Sequence, residues 1–166
     1  MKIWRELLGY VKLLVIVVAI ILVINNVVLI NAKIPSPSME KTLMVKDRLF
    51  GFRVAYGINL NLFGHEISEK FKDPKRFDIV IFKYPDDESR LFIKRVIGLP
   101  GEVVEIKDGK VYIDGSPTPL DDSFIPEKMI GSYGPYTVPE NCYFMLGDNR
   151  NDSKDSRLWK NKFVRF

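Results

Sequence analysis

A run of twenty uncharged residues, numbers 13–32 between Lys12 and Lys33, constrains this chain more than any other feature. As an α-helix rising 1.5 Å per residue, the run spans about 30 Å, which is the hydrocarbon thickness of a bilayer. It predicts a transmembrane helix over residues 13–32. Residues 1–12 carry three cationic side chains and only Glu6 as an anion. The positive-inside rule therefore predicts a cytoplasmic N-terminus in the plasma membrane and an extracytoplasmic location for residues 33–166.

Two alternatives to a retained membrane anchor stay open. A cleaved signal peptide has the same order of charges, and Ile30-Asn31-Ala32 resembles the small-residue cleavage site that ends a signal peptide. A buried core helix is equally apolar. The run exceeds the roughly 7–15 apolar residues usual in a signal peptide, which favours the anchor.

Two scarce residue types limit the chemistry. Cys142 is the one cysteine, which excludes an internal disulfide and a cysteine-based zinc site. His65 is the one histidine, so acid–base chemistry rests on carboxylates, Lys or Tyr unless His65 is the base. The net charge of +4 is spread along the chain, so no nucleic-acid partner is predicted. No metal and no cofactor are expected.

After the apolar run the sequence predicts β-strands. Two β-branched and aromatic segments, Phe77–Tyr84 and Leu91–Gly98, flank a polar turn. Asp108-Gly109 lies between two further short strands and is a preferred type I′ hairpin turn. Residues 57–76 are mixed and polar, which predicts a surface excursion. The predicted fold class is mostly β: an antiparallel, barrel-like β-sheet domain over residues 33–166, preceded by one transmembrane helix.

Lys94 lies in the middle of the second strong strand. Because side chains alternate along a strand, Phe92, Lys94 and Val96 share one face. A lysine at a sheet edge can extend its ammonium group to water. Burial beside apolar groups instead lowers the lysine pKa from about 10.4 by several units. A neutral lysine can then take the proton of a serine hydroxyl, which makes a serine–lysine pair the simplest nucleophile and base for this chain.

Two further segments have ordinary explanations when each is taken alone. Ser36-Pro37-Ser38-Met39 reads as a stiff extended linker. Residues 147–157 read as a solvated charged turn. Together with the strand that carries Lys94, they form an ordered set of three motifs behind an apolar segment.

These motifs resemble the type I signal peptidases, the membrane-bound serine proteases that remove signal peptides from exported proteins. Residues 34–43 resemble the nucleophile box, which continues into Lys46-Asp47-Arg48. Residues 76–82 and 92–101 resemble the lysine box, and residues 147–159 resemble the last box.

The resemblance implies a role for each residue of the site. Ser38 is implied as the nucleophile and Lys94 as the general base. The Ser36 hydroxyl and the Ser38 backbone N–H would form the oxyanion hole. Ser153 would orient Lys94 by a hydrogen bond. The implied supporting ion pairs are Asp155 with Arg157 and Asp148 with Arg95.

The resemblance also implies the partners. The substrates would be signal peptides of secretory preproteins with small residues at positions −1 and −3, and the lipid bilayer would hold both enzyme and substrate. The substrate would add as an extended strand beside the strand of Lys94. The small apolar subsites would be lined by Ile34, Met39, Leu43, Phe92 and Ile93.

The sequence departs from the family pattern at several positions. Lys41 stands where the family usually has Pro, Phe77 where it has Gly, and Lys160 where Gly is common. The family normally continues into a closing strand, whereas this sequence ends at Phe166. We therefore expect a domain that is truncated at its C-terminal strand, with a neighbouring sheet edge left unpaired.

Other functions remain open on sequence grounds. Soluble self-cleaving repressors share the serine–lysine chemistry, but they lack an anchor. An inactive or truncated paralogue could act as a membrane-tethered binding module. A carboxylate-pair hydrolase would need Asp86-Asp87-Glu88, which reads as the solvated charge of a turn.

Overall fold

The computed structural model describes residues 2–62, 65–125 and 127–166, which form two compact units. One unit contains the chain up to Ala32 together with Arg48–Lys72, and the other contains Lys33–Asp47 together with Asp73–Phe166. This division differs from the predicted domain of residues 33–166, because Arg48–Lys72 groups with the N-terminal segment. The described elements are α1 (Lys2–Val23), β1 (Leu29–Lys33), β2 (Arg48–Phe52), β3 (Gly57–Leu62), β4 (His65–Lys70), β5 (Ile79–Tyr84), β6 (Asp87–Gly98), β7 (Val103–Lys107), β8 (Lys110–Ile113), β9 (Tyr133–Thr137), β10 (Cys142–Leu146) and β11 (Phe163–Arg165).

The predicted apolar helix is confirmed, but its bounds differ from residues 13–32. Helix α1 continues through a π-helical turn, and the 26 residues Ile3–Val28 are long and apolar enough to cross a membrane. Lysine and arginine are good helix formers, so the helix also includes the charged segment before residue 13. Residues 29–32 instead belong to β1, which pairs with β2. The helix is exposed along its length, which argues against a buried core helix.

The first unit also contains a hairpin that the sequence did not predict. β3 and β4 pair antiparallel, within the segment expected to be a surface excursion. β3 alternates apolar and polar residues, but the largely polar sequence of β4 gave no sign of its partner. The side chain of His65, the one histidine of the chain, lies outside the described part of the structure.

The second unit contains a four-stranded sheet of order β11-β10-β6-β5 and a three-stranded sheet of order β8-β7-β9. The strand pairs within both sheets are antiparallel, which confirms the mostly β fold class. The predicted hairpin turn joins β7 to β8, with φ of 48° at Asp108 and 77° at Gly109. Both values lie in the left-handed region that a type I′ turn requires.

A hydrophobic core lies between these strands and stabilises the second unit. Its members are apolar residues of β6, β7, β8 and β10 and of the connecting loops, so burial packs the sheet that contains β6 against the three-stranded sheet. The core residues are Ile97, Val104, Ile106, Val111, Met129, Val138, Phe144 and Leu146.

The sheet edge next to β10 is paired, contrary to our expectation. β11 pairs antiparallel with β10, and the Phe163 ring lies tilted beside the Phe144 ring at a centroid distance of 6.3 Å. Phe166 contacts the Tyr143 ring edge-on at 5.4 Å. The aromatic residues of the last segment thus supply both a strand and apolar contacts, although the segment holds few aliphatic residues that signal a strand.

Two departures from the family pattern have a left-handed backbone. Phe77 has a φ of 72° and Lys41 a φ of 73°. Glycine adopts such a conformation without strain, whereas proline cannot adopt it at all. The turn at Lys41 is therefore incompatible with the proline that is usual in the family.

Candidate active site

The turn after β1 positions Ser38. Ser36 is extended, as expected for a residue before proline, and Pro37 begins a short 3-10 turn that ends at Met39. This arrangement turns Ser38 inward, where it is 7 % exposed. Ser36 remains exposed beside it.

Lys94 meets Ser38 from the neighbouring sheet. Lys94 lies in β6 opposite Val80 of β5, and it is 4 % exposed. Its Nζ lies 2.6 Å from Ser38 Oγ and donates a second hydrogen bond of 3.0 Å to the Ile93 carbonyl. The fold thus brings the predicted nucleophile and base into direct contact.

The surroundings of Lys94 favour its neutral form. Burial lowers the Lys94 pKa from 10.5 to about 8, while the negative charges of Asp155 and Asp148 oppose the shift. The Phe92 ring, on the predicted shared face, lies 5.5 Å from Nζ and contributes to the apolar surroundings. About a tenth of the lysine is therefore neutral at pH 7, compared with less than about a thousandth of a free lysine.

The predicted oxyanion donors lie beside the serine. Ser36 Oγ is 3.4 Å from Ser38 Oγ. The Ser38 N–H lies in the first turn of the 3-10 segment, where N–H groups lack a partner within the helix. Two donors in this position can stabilise negative charge that develops next to Ser38 Oγ.

Both predicted ion pairs are formed. Arg95 binds Asp148 through two bonds, with Nε 2.7 Å from Oδ1 and Nη2 2.6 Å from Oδ2. Arg157 binds Asp155 through Nε and Nη2, each at 2.8 Å. Asp155 is fully buried and also accepts a hydrogen bond from the Gly147 N–H.

The predicted hydrogen bond from Ser153 to Lys94 is not formed. Ser153 is 7 % exposed, and its Oγ has no hydrogen-bond partner among the described residues. Its side chain packs against Gly147, where an added Cβ would overlap both Ser153 Oγ and the Ser38 carbonyl. Lys94 instead directs two of its donors to Ser38 and Ile93.

The predicted subsite residues differ in exposure. Ile34 is 2 % exposed and Met39 has no exposed surface, so these two side chains support the nucleophile turn from within. The half-buried residues are Leu43, Phe92 and Ile93. Phe92 stacks on Tyr84 at 4.4 Å, which holds its ring beside Lys94.

Sequence reasoning missed two contacts between the nucleophile turn and the last motif. Thr42 Oγ1 donates a hydrogen bond of 2.5 Å to Asp148 Oδ2. The Asn149 N–H donates one of 3.1 Å to the Ser38 carbonyl. Thr42 stood within the nucleophile box, but its neighbours in sequence give no sign of a partner 106 residues away.

The arrangement defines a class of site: a serine hydroxyl in contact with a buried lysine, beside two candidate oxyanion donors, which is a geometry suited to acyl transfer. The family model described as "Signal peptidase, peptidase S26" matches residues 7–165. The chain belongs to this signal peptidase family, as its motifs indicated.

Two curated relatives give the same result. The chain is 40 % identical to "Probable signal peptidase I-2" of Synechocystis over 76 % of its own length and 53 % of that protein. It is 34 % identical to the signal peptidase I of Pseudomonas fluorescens over 86 % of its length and 60 % of that protein. A crystal structure of a signal peptidase I from Enterococcus faecalis is 36 % identical, with a TM-score of 0.48, over 58 % of this chain and 92 % of that one. The chain spans somewhat more than half the length of these two curated relatives.

Proposed function

We propose that this chain is a membrane-anchored serine endopeptidase that removes signal peptides from exported preproteins. Family membership supports the reaction class. The observation that carries the proposal is the 2.6 Å contact between Ser38 Oγ and the Nζ of Lys94, a residue that is almost completely buried.

The first half of the reaction forms an acyl-enzyme. Neutral Lys94 takes the proton of the Ser38 hydroxyl while Oγ attacks the scissile carbonyl carbon. The Ser38 N–H and the Ser36 hydroxyl stabilise the oxyanion. Protonated Lys94 then gives its proton to the leaving amine as the peptide C–N bond breaks, which releases the mature protein.

The second half restores the enzyme. Lys94, neutral again, takes a proton from a water molecule that attacks the ester carbonyl. Collapse of the second tetrahedral intermediate returns this proton to Ser38 Oγ and releases the signal peptide as a carboxylic acid, which then loses its proton to solvent. The Asp155–Arg157 pair and the Asp148–Arg95 pair hold the site together without reacting.

The substrate has an edge on which it can bind. On one side, β6 pairs with β5 along most of the length of β6. On its other side, β6 pairs with β10 only between Arg95 and Gly98. An extended signal peptide can therefore add beside residues 91–94, next to Lys94. The half-buried side chains of this stretch favour small residues at −1 and −3.

The apolar helix serves in this proposal as the anchor, with its N-terminus in the cytoplasm. Ser38 follows Ala32 by six residues, and the apolar segment of the substrate lies in the same membrane. Confinement of both partners to one bilayer raises their effective concentration.

The proposal is tested with a purified preprotein that has Ala at −1 and −3, incubated with the full chain in lipid or detergent. We expect one cut after the −1 residue, identified by mass spectrometry, and none with a preprotein that has Leu at −1. A Ser38→Ala preparation controls for contaminating peptidases. Absence of a cut, with retained binding of the preprotein, would instead support the tethered binding module.

The pH dependence follows from the Lys94 pKa of about 8. Only the neutral amine accepts a proton, so we expect kcat/KM to rise about tenfold per pH unit below 8 and to level off above it. The rate is measured from pH 5 to 10, and circular dichroism at each pH controls for unfolding. A profile that stays flat down to pH 5 would contradict the role of Lys94.

A further inference from the structure

Ser38 and Lys94 lie on separate elements, 56 residues apart in the chain. One belongs to a short turn and the other to a long strand. Catalytic geometry requires placement to within about 0.5 Å, which the flexible side chain of a lysine does not provide by itself. Other contacts must therefore hold the turn against the strand.

Asp148 contacts both elements at once. On one side its two oxygens accept hydrogen bonds from Arg95, the residue after Lys94 in β6. On the other side Oδ2 accepts the hydrogen bond of Thr42 Oγ1, four residues after Ser38. Asp148 is 1 % exposed, so solvent competes little for its carboxylate, whereas Thr42 lies at the surface. We call this set of three residues, Thr42, Asp148 and Arg95, the Asp148 link.

A backbone contact lies next to the Asp148 link. The Asn149 N–H donates to the Ser38 carbonyl at 3.1 Å. Consecutive residues 148 and 149 thus hold the nucleophile turn at two points, one through a side chain and one through the main chain. Two points of attachment restrict rotation of the turn, which a single bond does not.

We propose that Thr42 is a positioning residue that acts through Asp148 to set the separation of Ser38 Oγ from Lys94 Nζ. The inference rests on the proposed peptidase activity. The Arg95–Asp148 pair alone fixes the last motif to the strand of the base. The Thr42 hydroxyl extends that attachment to the turn of the nucleophile.

The geometry separates this role from a general effect on stability. Without the Thr42 hydroxyl, Asp148 keeps both hydrogen bonds from Arg95 and is not left as an unpaired buried charge. The fold therefore loses little. The nucleophile turn, however, loses its side-chain attachment, and the alignment of Oγ with Nζ becomes less exact.

The test compares Thr42→Val, which removes the hydroxyl at nearly constant volume, with Thr42→Ser, which retains it. We expect Thr42→Val to lower kcat about 10- to 100-fold while KM changes less than about threefold, since misplacement of catalytic groups slows the chemical step. Thr42→Ser should retain kcat to within about threefold. Thr137→Val, at an exposed position in β9, is the matched control and should behave as the parent chain does.

Two other outcomes would overturn the positioning role of Thr42. If Thr42→Val cleaves the preprotein as fast as the parent, the positioning role is wrong while the peptidase proposal stands. If Thr42→Ser fails as badly as Thr42→Val, the hydroxyl is not the cause and the inference is also overturned.

Failure of the parent to cleave would overturn the proposed function instead. The Asp148 link is then tested by NMR titration of Lys94 in lysine-labelled protein, with Lys94→Ala used for assignment. We expect the titration midpoint to rise in Thr42→Val but not in Thr42→Ser, because a loosened turn exposes the amine to water. An unchanged midpoint would refute the link.

Discussion

Replacement of Lys94 by alanine is expected to lower kcat/KM for preprotein cleavage by about 10⁴-fold or more, as the loss of a catalytic base does in serine proteases. Lys94 Nζ contacts Ser38 Oγ at 2.6 Å, which makes it the amine placed to take the hydroxyl proton. Without this amine, the serine hydroxyl keeps its proton at neutral pH and attacks poorly. Initial rates of product formation, followed by gel or mass spectrometry, measure the loss.

Two further variants separate chemistry from packing. Lys94→Met retains the length and apolar stem of the side chain, and it should be as inactive as Lys94→Ala while unfolding near the temperature of the parent. Lys83→Ala, at an exposed position of the neighbouring strand β5, should retain full activity. Substantial cleavage by Lys94→Met would show that another group is the base.

Replacement of Asp155 by alanine is expected to lower the free energy of unfolding by about 3–5 kcal/mol, the usual cost of removing one partner of a buried ion pair. Asp155 is fully buried, and Arg157 is 6 % exposed. The change leaves the Arg157 guanidinium without its counter-ion and the Gly147 N–H without its acceptor. Thermal unfolding in micelles, followed by circular dichroism, measures the effect.

The same substitution has a second, electrostatic result. The Asp155 charge raises the Lys94 pKa, so its removal should lower that pKa further below 10.5. The rising limb of the pH–rate profile should then move to lower pH in the protein that remains folded. Asp152→Ala, at an exposed position three residues earlier, is the control and should shift neither quantity. An unchanged melting temperature in Asp155→Ala would refute the structural role of the pair.

Local patterns predicted those parts of the fold that local physics governs. The β-branched segments around Val80 and Lys94 form β5 and β6, because β-branched and aromatic residues favour a strand whatever its partner is. Asp108-Gly109 formed its type I′ turn because few other residue pairs tolerate two left-handed positions. The hairpin β3–β4 and the strand β11 were not predicted, because β4 is largely polar, β11 has three residues, and both depend on their partner strands.

The candidate site was predictable only in part for the same reason. The structure brings Ser38 next to Lys94 and forms both ion pairs, which are contacts that the motifs predicted. They also suggested a hydrogen bond from Ser153 to Lys94, which the structure does not form, and gave no sign of the Thr42–Asp148 contact. A hydrogen bond between side chains depends on rotamers and on which acceptor lies nearest, and neither property is encoded in spacing along the chain.

The sequence by itself determined the apolar N-terminal helix, the antiparallel β character and the residue types available for catalysis. These depend on the length of an uncharged run, on alternation and on turn residues, which act over a few positions. Only the tertiary structure decided that Ser38 and Lys94 meet, that burial shifts the Lys94 pKa to about 8, and that one carboxylate, Asp148, joins the turn to the strand. Contact and desolvation arise when distant segments pack together, so they exist only in the folded chain.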